Sequence, residues 1–318
     1  MILIAEKIHA SRVIPPNHPR LLRGNYHYGE TGVLRVGETH PLKPLATAAN
    51  MLLHGAAFEQ RNAAEFVAFH AAQQTAAGAA WLDINVDECS NDPAERAEAM
   101  RLFVKIALAA SPLPVSVDAA DTLVLAAGLA VCHEAGRGAL LNSATPFRLD
   151  ALEHAARLNA GAVLLPTPGG AGVPATARER CEILRGLLAH ANAAGVPPER
   201  CLLDPVVMPA AMDPGAVAIT LETTRMCRGM FGPAPHIVGG VGNVSYGLPA
   251  RAPLNRVFAH LFHNAGADTA ILDPLLTTPA DILHPDRGSR DFKAALRVLE
   301  GEDEYAADYI EAHRFVQS

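Results

Sequence analysis

The chain reads as an α/β protein, a (β/α)8 TIM barrel in one domain over residues 1–318, and three observations lead there. Apolar segments of strand length alternate with segments of helical periodicity, eight of each. Each strand segment is apolar on both faces, as parallel strands covered by helices must be. Six of the eight end in Asp or Asn within a residue or two of the apolar run. Barrels keep their functional side chains at the strand carboxyl ends, and a chain of 318 residues exceeds the roughly 250 that such a barrel uses. An open doubly wound sheet is the alternative architecture.

The first strand is expected over residues 2–8, with Glu6 and His9 near its end. Residues 12–55 form an insertion rich in Pro, Gly and His, as in Pro15-Pro-Asn-His-Pro19, Gly24-Asn-Tyr-His-Tyr-Gly29 and Gly37-Glu-Thr-His-Pro41. A loop this long inside a domain serves as a lid or subunit contact, or is passive decoration. A short helix fits residues 44–53.

Beyond it the period becomes regular. Helices are expected over 63–77, 93–109, 121–135, 148–159, 176–194, 214–228, 252–265 and 289–299. Asn91-Asp-Pro93 marks one helix start and Gly195 another's stop. The intervening strands cover 80–86, 114–118, 139–142, 162–165, 201–204, 237–241 and 269–273, and an acidic tail closes the chain. The fifth strand runs into Pro166-Thr-Pro-Gly-Gly170.

Composition narrows the function. The net charge of −7 and pI near 6.0 leave no basic footprint for nucleic acid. No apolar run reaches the roughly 20 residues of a membrane span, and Glu6 and Lys7 interrupt any leader at once. Five cysteines without C-x-x-C spacing point to a reducing, cytoplasmic setting and against a cysteine zinc site. The 14 histidines contain no H-E-x-x-H, so spacing supports no metal centre.

The strand ends carry Glu6, Asp83, Asn85, Asp118, Asn142, Asp204, Asn243 and Asp273. A ring of acids and amides without a basic cluster suits a polar heterocycle rather than a phosphate. A carboxylate accepts two parallel hydrogen bonds from an amino-pyrimidine edge, and amides satisfy the remaining ring atoms. His236-Ile-Val-Gly-Gly-Val-Gly-Asn-Val-Ser245 presents Asn243 and Ser245 after glycines that admit close approach of a ligand. Individual members have a plainer reading: Asn243 as a turn residue, and Asp204 and Asp273 as turn starts before prolines.

The set Leu82-Asp-Ile-Asn-Val-Asp-Glu88, Ser116-Val-Asp118, Leu141-Asn-Ser143, Leu203-Asp-Pro205, Gly242-Asn-Val-Ser245 and Arg251-Ala-Pro-Leu-Asn-Arg256 resembles the pterin-binding methyltransferases. The methyltetrahydrofolate:corrinoid protein methyltransferases and the folate module of cobalamin-dependent methionine synthase look most similar. The resemblance implies a (β/α)8 barrel, a homodimer, tetrahydrofolate or 5-methyltetrahydrofolate as substrate, and a partner protein carrying a corrinoid (cobalamin). It implies that Asp118, Asn142 and Asp204 bind the pterin ring and that Asp83 and Asn85 line the pocket. Asn243 would hydrogen-bond near N5 as the catalytic group, while Arg251 shapes the pocket or meets the folate tail. Two positions depart from the family pattern: Tyr246 stands where Gln is frequent, and His9 where Asn is frequent. A dihydropteroate synthase is the rival within the same fold, but residues 269–274 lack the Arg and His that its pyrophosphate leaving group calls for. A non-catalytic folate- or corrinoid-binding protein is the other alternative.

Overall fold

The computed structural model describes residues 1–38, 40–167 and 172–314; Thr39 of the Gly37–Pro41 segment and Pro168 to Gly170 of the expected turn lie outside the described residues. The chain opens with β1 (Ile2–His9). A three-stranded antiparallel sheet follows, made of β2 (Leu21–Leu22), β3 (Asn25–Tyr28) and β4 (Gly32–Arg35). Helices α1 (Pro44–His54) and α2 (Ala57–Ala76) come next. Strand and helix then alternate through β5 (Trp81–Asn85), α3 (Pro93–Ala110), β6 (Val115–Asp118), α4 (Thr122–Glu134), β7 (Ala139–Ala144) and α5 (Asp150–Arg157). The alternation continues with β8 (Gly161–Leu164), α6 (Ala177–Ala194), β9 (Cys201–Leu203), α7 (Ala216–Phe231), β10 (His236–Ile237), α8 (Arg251–Asn264) and β11 (Thr269–Leu272). The chain ends with α9 (Pro279–Leu283), α10 (Arg290–Leu299) and α11 (Ala307–Ala312).

Eight parallel strands in the order β10-β9-β8-β7-β6-β5-β1-β11 make a nearly closed barrel with flanking helices, the fold class expected from the alternation. The chain divides into two compact units, one of Ala5–Ser143 and Glu153–Gly161, the other of Met1–Ile4, Ala144–Leu152 and Ala162–Ser318.

In the first unit, register decides which side chains share a row. Asn85 pairs with Asp118 and Asp118 with Asn142, so three polar residues line up across the ends of β5, β6 and β7. Side chains two residues apart point to the same face, which sets Asp83 and its partner Ser116 one row deeper. Two helices are started by side chains: Asp92 accepts from the Ala94 N–H at 2.9 Å and Asp121 from the Leu123 N–H at 2.8 Å. Helix α4 packs tightly on its strand, because a Cβ on Gly128 would lie 2.6 Å from Val117 Cγ1 and 2.9 Å from Met100 Cγ.

The insertion differs from the loop expected for it. Residues 21–35 fold into the small sheet, with a three-residue turn between Tyr28 and Gly32 that needs Gly29 at φ +58°. Tyr26 and Tyr28 alternate with exposed His27, which turns both rings to one side. They meet Phe66 and Phe69 of α2, with Tyr28 at 4.9 Å from Phe66 and 5.3 Å from Phe69. Helix α2 starts at Ala57, ahead of the expected residue 63, where Glu59 caps the Ala56 N–H at 2.8 Å. The short helix expected over 44–53 is α1.

In the second unit, β8, β9 and β10 pair in parallel. The strand expected over 237–241 is a correction. Regular pairing stops at Ile237, and residues Val241–Ser245 coil into a 3₁₀ turn. The segment between still bonds both neighbours: Val238 N–H to Leu203 O at 3.0 Å, and Ile271 N–H to Gly239 O at 3.0 Å. A Cβ at Gly239 would press on Phe262 at 3.1 Å, so glycine is what lets the chain pass this close to α8 before turning. The expected acidic tail is structured instead. Buried Tyr309 anchors α11 and donates to Ala250 O at 2.9 Å.

Gly128→Ala is expected to lower the unfolding free energy by about 1–3 kcal/mol, the range for overpacking. Thermal and urea unfolding of the purified variant measures it; an unchanged midpoint would show that α4 shifts on β6 without strain.

Candidate active site

The first unit gathers three ionisable side chains from three strands. His9, at the end of β1, faces Asp118 at the end of β6, Nε2 to Oδ2 at 3.0 Å. Its Nδ1 lies 2.8 Å from Ser11 Oγ, so both ring nitrogens are engaged. Asp83, only 1% exposed, lies a row deeper and accepts from Asn142 Nδ2 at 3.3 Å. Burial first, and the charge of Asp118 second, push the Asp83 carboxyl up to about 7, against the pull of His9 and the Asn142 hydrogen bond. Burial alone would depress His9; the hydrogen bond it donates to Asp118 and the negative charges of Asp118 and Asp83 outweigh it and raise the imidazole.

Ligand-type atoms of His9, Asp83 and Asp118 lie within 4.8 Å of one another, a spacing that a divalent cation can bridge. No sequence spacing pointed to this group, because three separate strands bring it together.

Asn142 spends its N–H on Asp83, and among the described residues no hydrogen bond reaches its Oδ1. Asp118 likewise keeps Oδ1 unengaged there. Asn85 is committed elsewhere. Its Oδ1 accepts from the Asp87 N–H at 3.0 Å, and Asp87 Oδ2 accepts from the Ala120 N–H at 2.9 Å. This relay ties the loop after β5 to the loop after β6. Glu6 sits within β1 rather than at its end, and Arg12 NH2 donates to it at 2.9 Å.

In the second unit, Asp204 follows β9 and accepts the Val206 N–H on Oδ1 at 2.7 Å. Burial pushes its carboxyl up to about 6, although the Val206 N–H and the Arg180 charge both favour the ionised form. Val206 adopts φ +64°, a conformation that costs a β-branched residue on the order of 1–3 kcal/mol. Asp273 behaves as a turn start: its Oδ1 accepts from the Leu275 N–H at 3.1 Å.

Asn243 stands on the 3₁₀ turn, exposed between buried Gly242 and Val244. No side-chain hydrogen bond holds its amide among the described residues. The turn beneath it is braced by residues that sequence reading had grouped with the ligand contacts. Arg251 Nε donates to Ser245 Oγ at 3.0 Å and its NH2 to Gly242 O at 2.7 Å. Ser245, fully buried, donates to Asn255 Oδ1 at 2.7 Å. Arg251 therefore braces the turn that carries Asn243. A Cβ on Gly240 would come 3.0 Å from Asn243 Nδ2, so that glycine leaves room for the amide. The ring of Tyr246 is 68% exposed, while its N–H donates to Asn243 O at 3.1 Å.

The family model for pterin binding enzymes matches residues 53–273, and the chain belongs to that family. A methylcorrinoid:tetrahydrofolate methyltransferase of Eubacterium limosum is 27% identical over 264 residues, 76% of this chain and 90% of that protein. Methionine synthase of Mycobacterium tuberculosis is 31% identical over 218 residues, 64% of this chain but 18% of that longer protein. Among solved structures, a Xanthomonas albilineans dihydropteroate synthase with 4-aminobenzoic acid matches with a TM-score of 0.56 and 19% identity, covering 71% of this chain and 85% of that one. At that identity the likeness is one of fold.

The raised Asp204 carboxyl has a consequence for stability. Its folded value of about 6 lies above the ordinary 3.8, so the folded protein retains a proton that the unfolded chain releases between those values. Stability therefore falls as pH rises through that window. Asp204→Asn, which can still accept from Val206, is expected to be more stable than the native protein at pH 8 by about 1–3 kcal/mol, with no advantage near pH 4. Urea unfolding at the two pH values checks this; equal stability at both would show that Asp204 is solvated in the folded state.

Proposed function

We propose that this protein transfers a methyl group between N5 of tetrahydrofolate and the cobalt of a corrinoid held by a partner protein. The observation that carries the reading is the supply of unengaged acceptors and one unengaged amide at strand ends, in a chain similar over most of its length to a methylcorrinoid:tetrahydrofolate methyltransferase. Asp204 accepts the ring N–H and exocyclic NH2 of the pterin, a pairing that needs a carboxylate with one face open. Asp118 takes a further ring N–H on the carboxylate oxygen that His9 leaves open. Asn142 offers its Oδ1 to the same ring.

Asn243 acts at N5. A methyl on a tertiary amine departs poorly, because the anion left behind is a strong base. A donor placed at N5 lowers that cost as charge develops, and counts only to the extent that it bonds the transition state better than the ground state. An amide suits both directions, since it donates to the N5 lone pair and accepts from N5–H. When bound, the corrinoid supplies the cobalt that takes up or gives the methyl. No step in this scheme asks for a nucleophilic side chain from this chain.

In the second unit, exposed Phe147, Met212, Tyr246 and Leu276 lie in loops that follow strands, which supports docking of a partner with an apolar contact surface. The family resemblance adds a homodimer, and the five cysteines without C-x-x-C spacing favour a reducing, cytoplasmic setting. No described helix is long and apolar enough to cross a membrane. A dihydropteroate synthase is disfavoured by β11 and the residues after it, Thr269 to Pro274, which offer no Arg or His to a pyrophosphate.

Calorimetric titration with tetrahydrofolate and with 5-methyltetrahydrofolate is expected to give micromolar binding of at least one of them; no heat from either would remove the pterin reading. Asn243→Ala is expected to retain that binding while losing on the order of 100-fold or more in methyl transfer, followed by the absorbance of methylcobalamin. Equal losses in both would make Asn243 a binding residue only. Gly240→Ala is expected to show the same split with unchanged thermal stability, because its new methyl displaces the end of one exposed side chain rather than any backbone; wild-type turnover would show that the amide finds N5 regardless.

A further inference from the structure

Arg180 lies on α6, is 3% exposed and makes no ion pair among the described residues. A buried guanidinium without a carboxylate partner is costly unless its N–H groups are all used. Three hydrogen bonds to backbone carbonyls offset that cost here: Nε to Pro174 O at 3.0 Å, and NH1 to Pro205 O at 2.7 Å and Val206 O at 2.9 Å. Thr220 Oγ1 of α7 lies 2.9 Å from the same Val206 carbonyl. Two helices therefore grip the carbonyl of one residue, and that residue is the β-branched one at φ +64°. Its N–H in turn points at Asp204 Oδ1, 2.7 Å away.

We propose that Arg180 is a positioning residue, which with Thr220 clamps Val206 in its left-handed conformation and thereby fixes the direction in which the Asp204 carboxylate faces its ligand. Only the ligand's identity rests on the pterin reading; the clamp itself concerns the backbone after β9. Valine drifts out of this conformation when nothing holds its carbonyl, whereas glycine adopts it freely. A planar guanidinium spans the carbonyls of Pro205, Val206 and Pro174 at once, which a lysine ammonium on a flexible stem does not.

Two readouts separate the clamp from its use. Hydrogen–deuterium exchange of the peptide containing Val206 needs no ligand, and tetrahydrofolate titration reads the direction of Asp204. Arg180→Met is expected to speed exchange in that peptide and to weaken tetrahydrofolate binding roughly tenfold or more, the loss of a hydrogen bond to a charged group. Adding Val206→Gly to that variant is expected to restore affinity and slow exchange again, a rescue that repacking around α6 cannot produce. Should Arg180→Met fail to fold, Arg180→Lys with and without Val206→Gly gives the same comparison. Unchanged exchange in the Arg180 variants, or no rescue by glycine, would overturn the clamp. If exchange responds and is rescued but the wild-type protein binds no tetrahydrofolate, the clamp stands and the pterin reading falls.

Discussion

A carboxylate buried at the end of a strand is the constraint that the surrounding structure answers to. Desolvation pushes both Asp83 and Asp204 toward the neutral form. A pterin edge, however, presents N–H groups and so asks for acceptors. The two carboxylates are managed differently. Asp83 sits in a cluster with His9, Asp118 and Asn142, where the His9 charge and the Asn142 N–H work against desolvation. Asp204 is addressed by a backbone N–H and by the field of a buried guanidinium, so its charge is held by parts that do not titrate near neutrality. Neither arrangement serves folding stability, and both make sense where a ligand completes the hydrogen bonding.

Asn243 answers to a different demand. It is neutral, exposed and unengaged, and what the chain supplies is a rigid seat. Ser245, Arg251 and Asn255 form a closed set of hydrogen bonds under the 3₁₀ turn, and Gly240 clears the space beside the amide. Residues that resemble the family's motif are therefore of two kinds, those whose polar groups stay unengaged and those that brace them. Motif reading does not distinguish the two, since both recur at the same spacing. Coordinates do, because Ser245 is fully buried while Asn243, two residues earlier, is not.

The barrel was legible because its signals are local: apolar runs of strand length, Asp and Thr caps, a Gly195 stop that adopts φ +100°. Asn85, Asp118 and Asp204 were legible as strand ends for the same reason, whereas Glu6 lies inside β1 and Asn243 on the 3₁₀ turn. The small sheet was missed because its strands are two to four residues long. Its one signal, tyrosines at 26 and 28 ahead of a Gly-flanked turn, was read as loop composition. The end of β10 was misplaced because Val241 and Val244 look like strand while they plug a 3₁₀ turn. His9 stood out only as a departure from a pattern. Its pairing with Asp118 joins residues that are distant in sequence, as does the Arg180 grip on Val206, and neither leaves a periodic trace.

The docking of Tyr26 and Tyr28 onto Phe66 and Phe69 also bears on how such a barrel can be rebuilt. A helix that flanks a barrel ordinarily turns a polar face outward, yet α2 has been rewritten to receive the hairpin. The appendage and the helix are thus one packing unit. Trimming the hairpin to reach a minimal barrel would leave an aromatic pair facing water and invite self-association. Moving it into another barrel would require the receiving helix to be exchanged with it.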